Sequence, residues 1–188
     1  ALSATGFEIS NDEDGASVYN YASYGGTATM TGSLQDFDIF GVDDSGMIIR
    51  NEAYEGSSAT QTMTVGEVRV NGFDRYGLEI GNRAYGNNDP TTAASQTVTL
   101  SDIEVSGGTE DQGVYVYNTA YEGGTSTQNV TANRLSSTHN PEEGIYVYNN
   151  SYGPSVATSA DQTFTLTNGV VNNNAASGVY VYNSADDA

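Results

Sequence analysis

Gly113-Val-Tyr-Val-Tyr-Asn118 returns as Gly144-Ile-Tyr-Val-Tyr-Asn149 and again as Gly178-Val-Tyr-Val-Tyr-Asn183. Three weaker copies precede them: Gly15-Ala-Ser-Val-Tyr-Asn20, Gly46-Met-Ile-Ile-Arg-Asn51 and Gly77-Leu-Glu-Ile-Gly-Asn82. The leading glycines are 31, 31, 36, 31 and 34 residues apart. A period of this size marks a unit that cannot bury its own apolar face and must stack on its neighbours. Two residues after each Asn stands a small residue (Ala22, Ala53, Ala84, Ala120, Ser151, Ala185), and in four copies a tyrosine follows it: Tyr54, Tyr85, Tyr121 and Tyr152.

A second motif lies between these copies. Gln61-Thr-Met-Thr-Val65, Gln96-Thr-Val-Thr-Leu100 and Gln162-Thr-Phe-Thr-Leu166 are its clear forms, and Gln128-Asn-Val-Thr-Ala132 and Met30-Thr-Gly-Ser-Leu34 align with them. After a two-residue corner a third alternation follows: Phe37 and Ile39, Val68 and Val70, Ile103 and Val105, Leu135 and Ser137. In the last copy Gly169 stands where an apolar residue is due, and a one-residue slip is expected around Val170 and Val171.

Each unit thus holds three period-two segments, a, b and c, rich in Val, Ile, Thr and Tyr, with no helical periodicity. The fold class is all-β. The pattern predicts one domain over residues 1–188, a parallel β-helix (β-solenoid) of about six coils with three short strands per coil and a repeat of 31–36 residues. Alternation places Val114, Val116, Val130, Ala132 and Leu135 inside and Tyr115, Tyr117, Asn129 and Thr131 outside. Asn20, Asn51, Asn82, Asn118, Asn149 and Asn183 then form an inward corner ladder of structural amides. The glycines that open strand a are expected to turn the corner with positive φ.

Coil length, three strands per coil and the corner asparagines resemble the right-handed parallel β-helix proteins, the broad group of pectate-lyase-like enzymes, phage tailspikes and surface adhesins. The resemblance spans the chain and implies architecture alone. Enzymes of that group cleave acidic polysaccharides or pectins with an Asp cluster and a basic residue on one outward strand. Here Arg50 on strand a has only Tyr19 and Gly81 beside it, and strand c carries Glu8, Asp38, Arg69 and Glu104. That line reads as a solvated face in which Arg69 eases carboxylate repulsion, so no catalytic residue is assigned and the chain is not expected to be an enzyme.

Five basic residues, all Arg, stand against 24 acidic ones in a chain of 188, for a formal net charge of −19. Such a chain is repelled by phosphate backbones, which excludes nucleic acid as a partner, and anionic membrane surfaces are disfavoured for the same reason. No apolar run approaches the roughly 20 residues that a membrane-spanning helix needs, so no membrane insertion is expected. Without cysteine, and with His139 as the one histidine, thiolate and His-cluster metal sites are excluded. The sequence begins at Ala1 without a basic, apolar leader, and the expectation is a secreted protein, extracellular or on the cell surface, whose signal peptide has been removed.

Three sets of residues are candidates for function. Carboxylates gather before strand a: Asp12, Glu13 and Asp14; Asp43 and Asp44; Asp74; Glu110 and Asp111; Glu142 and Glu143. Stacked about 5 Å apart, like charges cost on the order of 1 kcal/mol even in water, and Ca²⁺, which tolerates irregular oxygen geometry, is the structural cofactor they suit. Tyr115, Tyr117, Tyr146, Tyr148, Tyr180 and Tyr182 should form two exposed ladders, an interface for protein or saccharide. Leu2 and Phe7 at one end and Val179 and Val181 at the other should leave open apolar end faces in a chain that holds a whole number of b-c-a turns. The functional expectation is a structural subunit polymerising head to tail with itself into an extracellular filament or surface matrix; the alternative is a carbohydrate-binding adhesin module. The outward Thr pairs of strand b invite an ice-binding reading, but Asn129, Gly32 and the unequal loops argue against a regular grid. Asn129-Val-Thr131 and Asn149-Asn-Ser151 fit the N-glycosylation pattern, with only Asn129 outward.

Overall fold

The computed structural model describes residues 2–10, 13–55, 58–86, 91–122, 124–153 and 158–187. The chain is an all-β parallel solenoid. Strands β1 (Leu2–Ser10), β3 (Ala28–Phe40), β5 (Ser58–Phe73), β7 (Ala93–Gly108), β9 (Gly124–Thr138) and β11 (Thr158–Thr167) pair in that order, and β12 (Val170–Asn172) also pairs with β9. Strands β2 (Ala16–Ala22), β4 (Met47–Ala53), β6 (Leu78–Tyr85), β8 (Val114–Tyr121), β10 (Ile145–Gly153) and β13 (Val179–Asp187) make the second sheet. Six b-c-a coils result.

The three predicted segments are present, but b and c are continuous. They join into strands as long as 16 residues, bent at a residue in the left-handed region: Gly6, Asp36, Glu67, Asp102, Arg134 or Asn168. Only in the last coil does the chain break there, between β11 and β12. The expected slip does not occur: Thr167 pairs with Asn133 and Val171 with Ser137, the same offset, and Val171 packs on the core. Leu166 fills the space beside Gly169.

The leading glycines correct a second expectation, since neither Gly46 nor Gly113 has positive φ. A Cβ on Gly46 would strike the Val70 side chain and the Gly77 carbonyl, and one on Gly113 would strike Ser137 and Asn140. Close approach between coils, not backbone handedness, excludes side chains there.

Two apolar columns fill the interior: the main core, with Ile39, Val70, Leu78, Ile80, Leu100, Val116 and Val147 fully buried, and a narrow one of Ala28, Ala53, Ala59, Ala84, Ala94 and Ala120 at the a-to-b corner. Between them run two amide ladders. Asn20 donates to Asn51 at 2.6 Å, and the chain continues through Asn82, Asn118, Asn149 and Asn183 at 2.8–2.9 Å. Gln162, Gln128, Gln96 and Gln61 form a second ladder at 2.7–2.8 Å, donating in the opposite direction along the stack. Both also donate to backbone carbonyls at the corner, so the amides of the two ladders are paired, as buried amides must be away from water.

Candidate functional site

Register fixes what the outer face of the a-strand sheet presents. One column runs Ser17, Ile48, Glu79, Tyr115, Tyr146, Tyr180, and the next Tyr19, Arg50, Gly81, Tyr117, Tyr148, Tyr182. Tyr115 and Tyr146 lie 5.2 Å apart between ring centroids, Tyr146 and Tyr180 5.1 Å, and Tyr148 and Tyr182 5.2 Å with planes 6° apart. The structure therefore brings the six predicted tyrosines together. Tyr180 is exposed, while Tyr115, Tyr146, Tyr148 and Tyr182 are half-buried by their own stacking.

Tyr117 departs from the expectation of an exposed contact residue. Its ring lies over Gly81 of the preceding coil, the Arg83 guanidinium sits 4.4 Å from its centroid, and it is 1% exposed. The missing side chain at Gly81 makes the slot, and the ring fills it. Beside it Arg50 donates to both oxygens of Glu79 at 2.7 Å, and Arg83 reaches Glu52 at 3.4 Å. Glu79 is 1% and Glu52 4% exposed. Pairing with Arg is the condition for burying such charges, and the tyrosines supply the cover. Desolvation raises the hydroxyl pKa of Tyr115 and Tyr117 well above the ordinary value and pushes Tyr146 up to about 12.

A third ladder was missed. Tyr21, Tyr54, Tyr85 and Tyr121 stack at 5.8, 4.6 and 4.7 Å with planes 8°, 4° and 10° apart, and the Tyr54 hydroxyl donates to Glu52 at 2.7 Å. The recurring Ala-Tyr after the corner Asn signals Tyr54, Tyr85 and Tyr121, whose parity is that of Tyr115 and Tyr117, whereas Tyr21 follows Asn20 directly and pairs with Glu52.

At the acidic corner backbone hydrogen bonds stack Asp44 on Glu13, Asp74 on Asp44 and Glu110 on Asp74, while Asp12 lies outside the described residues. The corner is not a bare row of carboxylates. Arg75 stands between Asp44 (3.6 Å) and Asp111 (3.8 Å), Thr109 donates to Asp74 at 2.7 Å, and Gln112 donates to Glu142 at 2.5 Å and Glu143 at 3.2 Å. Asp14, Asp43 and Glu110 belong to the same corner. Partial desolvation, with Asp111 and Glu143 nearby, raises the Glu142 pKa. Among the described residues no three carboxylates converge as a metal-binding group.

The other sheet has two unlike outer faces. On its c part Arg69 bridges Asp38 at 2.9 Å and Glu104 at 3.3 Å, and Arg134 pairs with Asp102, holding that carboxyl below its ordinary value. A shallow cavity of about 280 Å³ lies among Asp36, Asp38, Glu67, Arg69, Asp102 and Glu104. The b part presents hydroxyls. Thr31, Thr62, Thr97, Asn129 and Thr163 form one column, with Ser33, Thr64, Thr99, Thr131 and Thr165 beside it. Gly32 pairs with Met63 on the inward side, so it does not interrupt this face, contrary to the sequence reading.

Among the described residues, the first and last coils expose core-parity side chains. Phe7 stacks on Phe37 at 5.0 Å yet is 48% exposed, and an apolar basin of about 230 Å³ is lined by Leu2, Ala4, Phe7, Ile9, Val18 and Leu34. At the opposite end Val179 and Val181 are exposed. Comparison with protein-family models, with curated proteins and with solved structures returned no match.

Proposed function

We propose that this chain is a structural subunit that stacks head to tail, coil upon coil, into an extracellular filament or surface matrix. The observation that supports the reading is the exposure of core-parity side chains on the outer strands of the described coils, Phe7 on β1 and Val179 and Val181 on β13, which a further coil stacked on them would cover. The internal joints show what such a contact needs. Each coil meets the next through parallel backbone hydrogen bonds, core packing and one Asn-to-Asn bond. At one end Asn20 offers its side-chain oxygen, and at the other Asn183 offers an amide, so the faces are complementary in polarity as well as shape. A surface carrying most of the −19 charge repels a neighbour's flank, which leaves the apolar ends as the favoured contact. The interface is heterologous and open-ended.

The test is electron microscopy and sedimentation of the purified chain at high salt. Fibres with an axial repeat of about 29 Å, from six coils at roughly 4.8 Å, are expected, and Phe7→Asp should stop their growth. A monodisperse monomer at high concentration overturns the proposal. The exposed and half-buried rings of Tyr146, Tyr148 and Tyr180 favour saccharide binding as the second reading. It requires retention on a glycan matrix that Tyr146→Ala with Tyr148→Ala abolishes, without any need for fibres.

A further inference from the structure

We infer that the hydroxyl face of the b strands is an ice-binding surface. Parallel pairing sets neighbouring rows about 4.8 Å apart, and alternate residues along a strand lie about 6.6 Å apart. Both distances are close to oxygen repeats on a prism face of hexagonal ice. Unequal coil lengths do not disturb the lattice: Thr62, Thr97, Asn129 and Thr163 stay in one register although their coils differ in length. β5, β7 and β9 pair without interruption through the Thr positions.

The chemistry suits ordered water. A threonine hydroxyl donates and accepts as water does, and its methyl fills the gap between hydroxyls without adding a competing donor. Asn129 keeps the column neutral and polar. In a chain with a net charge of −19, these two columns carry no charge at all, which matches an uncharged lattice and spares it the tightly held shells of ions. The surface is also held regular. The Gln61, Gln96, Gln128 and Gln162 ladder runs beneath it, and side-chain ladders of this kind are what keep a many-stranded sheet flat.

Other occupants fit less well. Saccharides stack on aromatic rings, and the tyrosine ladders stand on the other sheet. A protein partner would need large anchoring side chains, and these columns have none.

The full chain should shape growing ice crystals into facets, open a gap between freezing and melting in a nanolitre osmometer, and enter a slowly grown ice hemisphere when fluorescently labelled. Thr62→Tyr with Thr97→Tyr projects rings from the face while keeping residues that favour strands. It should abolish all three effects with the thermal unfolding midpoint unchanged. Tyr152→Ala with Asp186→Ala, paired on the opposite sheet, should leave them intact. Absence of faceting and of the freezing gap in the unsubstituted chain overturns the inference, as does equal loss in both double variants. Retention on crystalline polysaccharide that depends on Thr62 and Thr97, without ice shaping, would assign the face to a glycan instead.

Discussion

The ring of Tyr117 occupies the volume that a side chain on Gly81 would need, although the two residues are 36 positions apart in the chain. This contact decides which part of the tyrosine face is surface and which is interior. It also closes the cover over the Arg50–Glu79 pair, so its loss would expose a desolvated ion pair as well as a ring.

Gly81→Ala should therefore destabilise the fold. In a strand interior the exchange of Gly for Ala would ordinarily stabilise by roughly 0.5–1 kcal/mol. Here the new methyl collides with the ring, and overpacking costs about 1–3 kcal/mol. Circular dichroism melting should give a lower midpoint, and tyrosine fluorescence should become more accessible to a soluble quencher. A raised midpoint would show that the ring moves freely.

Asn118→Ala removes the middle of the asparagine ladder. Asn82 loses its acceptor, Asn149 its donor, and the carbonyls of Ala94 and Thr127 lose a side-chain partner. Each buried group left unpaired costs about 1–3 kcal/mol, so denaturant unfolding should show a loss of several kcal/mol. Asn183→Ala, at the exposed end of the ladder, should cost much less. Equal effects would mean that the ladder is not the stabilising element.

Alkaline pH should unfold the protein abruptly. Tyrosine in the unfolded chain titrates near 10, whereas Tyr146 in the folded chain is pushed up to about 12 and Tyr54, Tyr115 and Tyr117 higher still. Above about pH 10 the unfolded state binds fewer protons than the native state, so stability falls as pH rises. The stabilisation is fully present below pH 10 and lost towards pH 12 and beyond. Tyrosinate absorbance should rise together with loss of the strand signal, and smooth ionisation ahead of unfolding would contradict this.

Calcium at the acidic corner is proposed to stabilise the stack weakly. Because Arg75, Thr109 and Gln112 stand among the carboxylates, an ion would meet one or two carboxylates with water completing its shell. The expected affinity is millimolar, as in weak extracellular sites. Raising calcium at constant ionic strength should lift the melting midpoint by mass action, and chelator should reverse it. A midpoint that responds to sodium chloride alone would assign the effect to general screening.

The coil repeat, the solenoid architecture and the strand pairing, apart from the slip expected around Val170 and Val171, were legible in the sequence. Period-two alternation cannot slip by one residue without turning the whole core outward, so the copies of Val-Tyr-Val-Tyr-Asn had one register available. Even the defective last coil kept it, since Val171 needed the interior. The asparagine ladder followed from the same parity. What the tertiary structure alone decided was the state of each outward residue and each corner, because these depend on what stands one coil away. The opening glycines are absent from the left-handed region, and what keeps a side chain off Gly46 and Gly113 is the carbonyl and side chains of the next coil. The acidic corner is broken up by Arg75 and Gln112, whose reach along the stack no alternation rule describes. Tyr117 reads in the sequence like Tyr148, its neighbour in the same column, yet one is buried and the other half-open. The difference lies in Gly81 and Arg83, which only stacking brings beneath and over that ring.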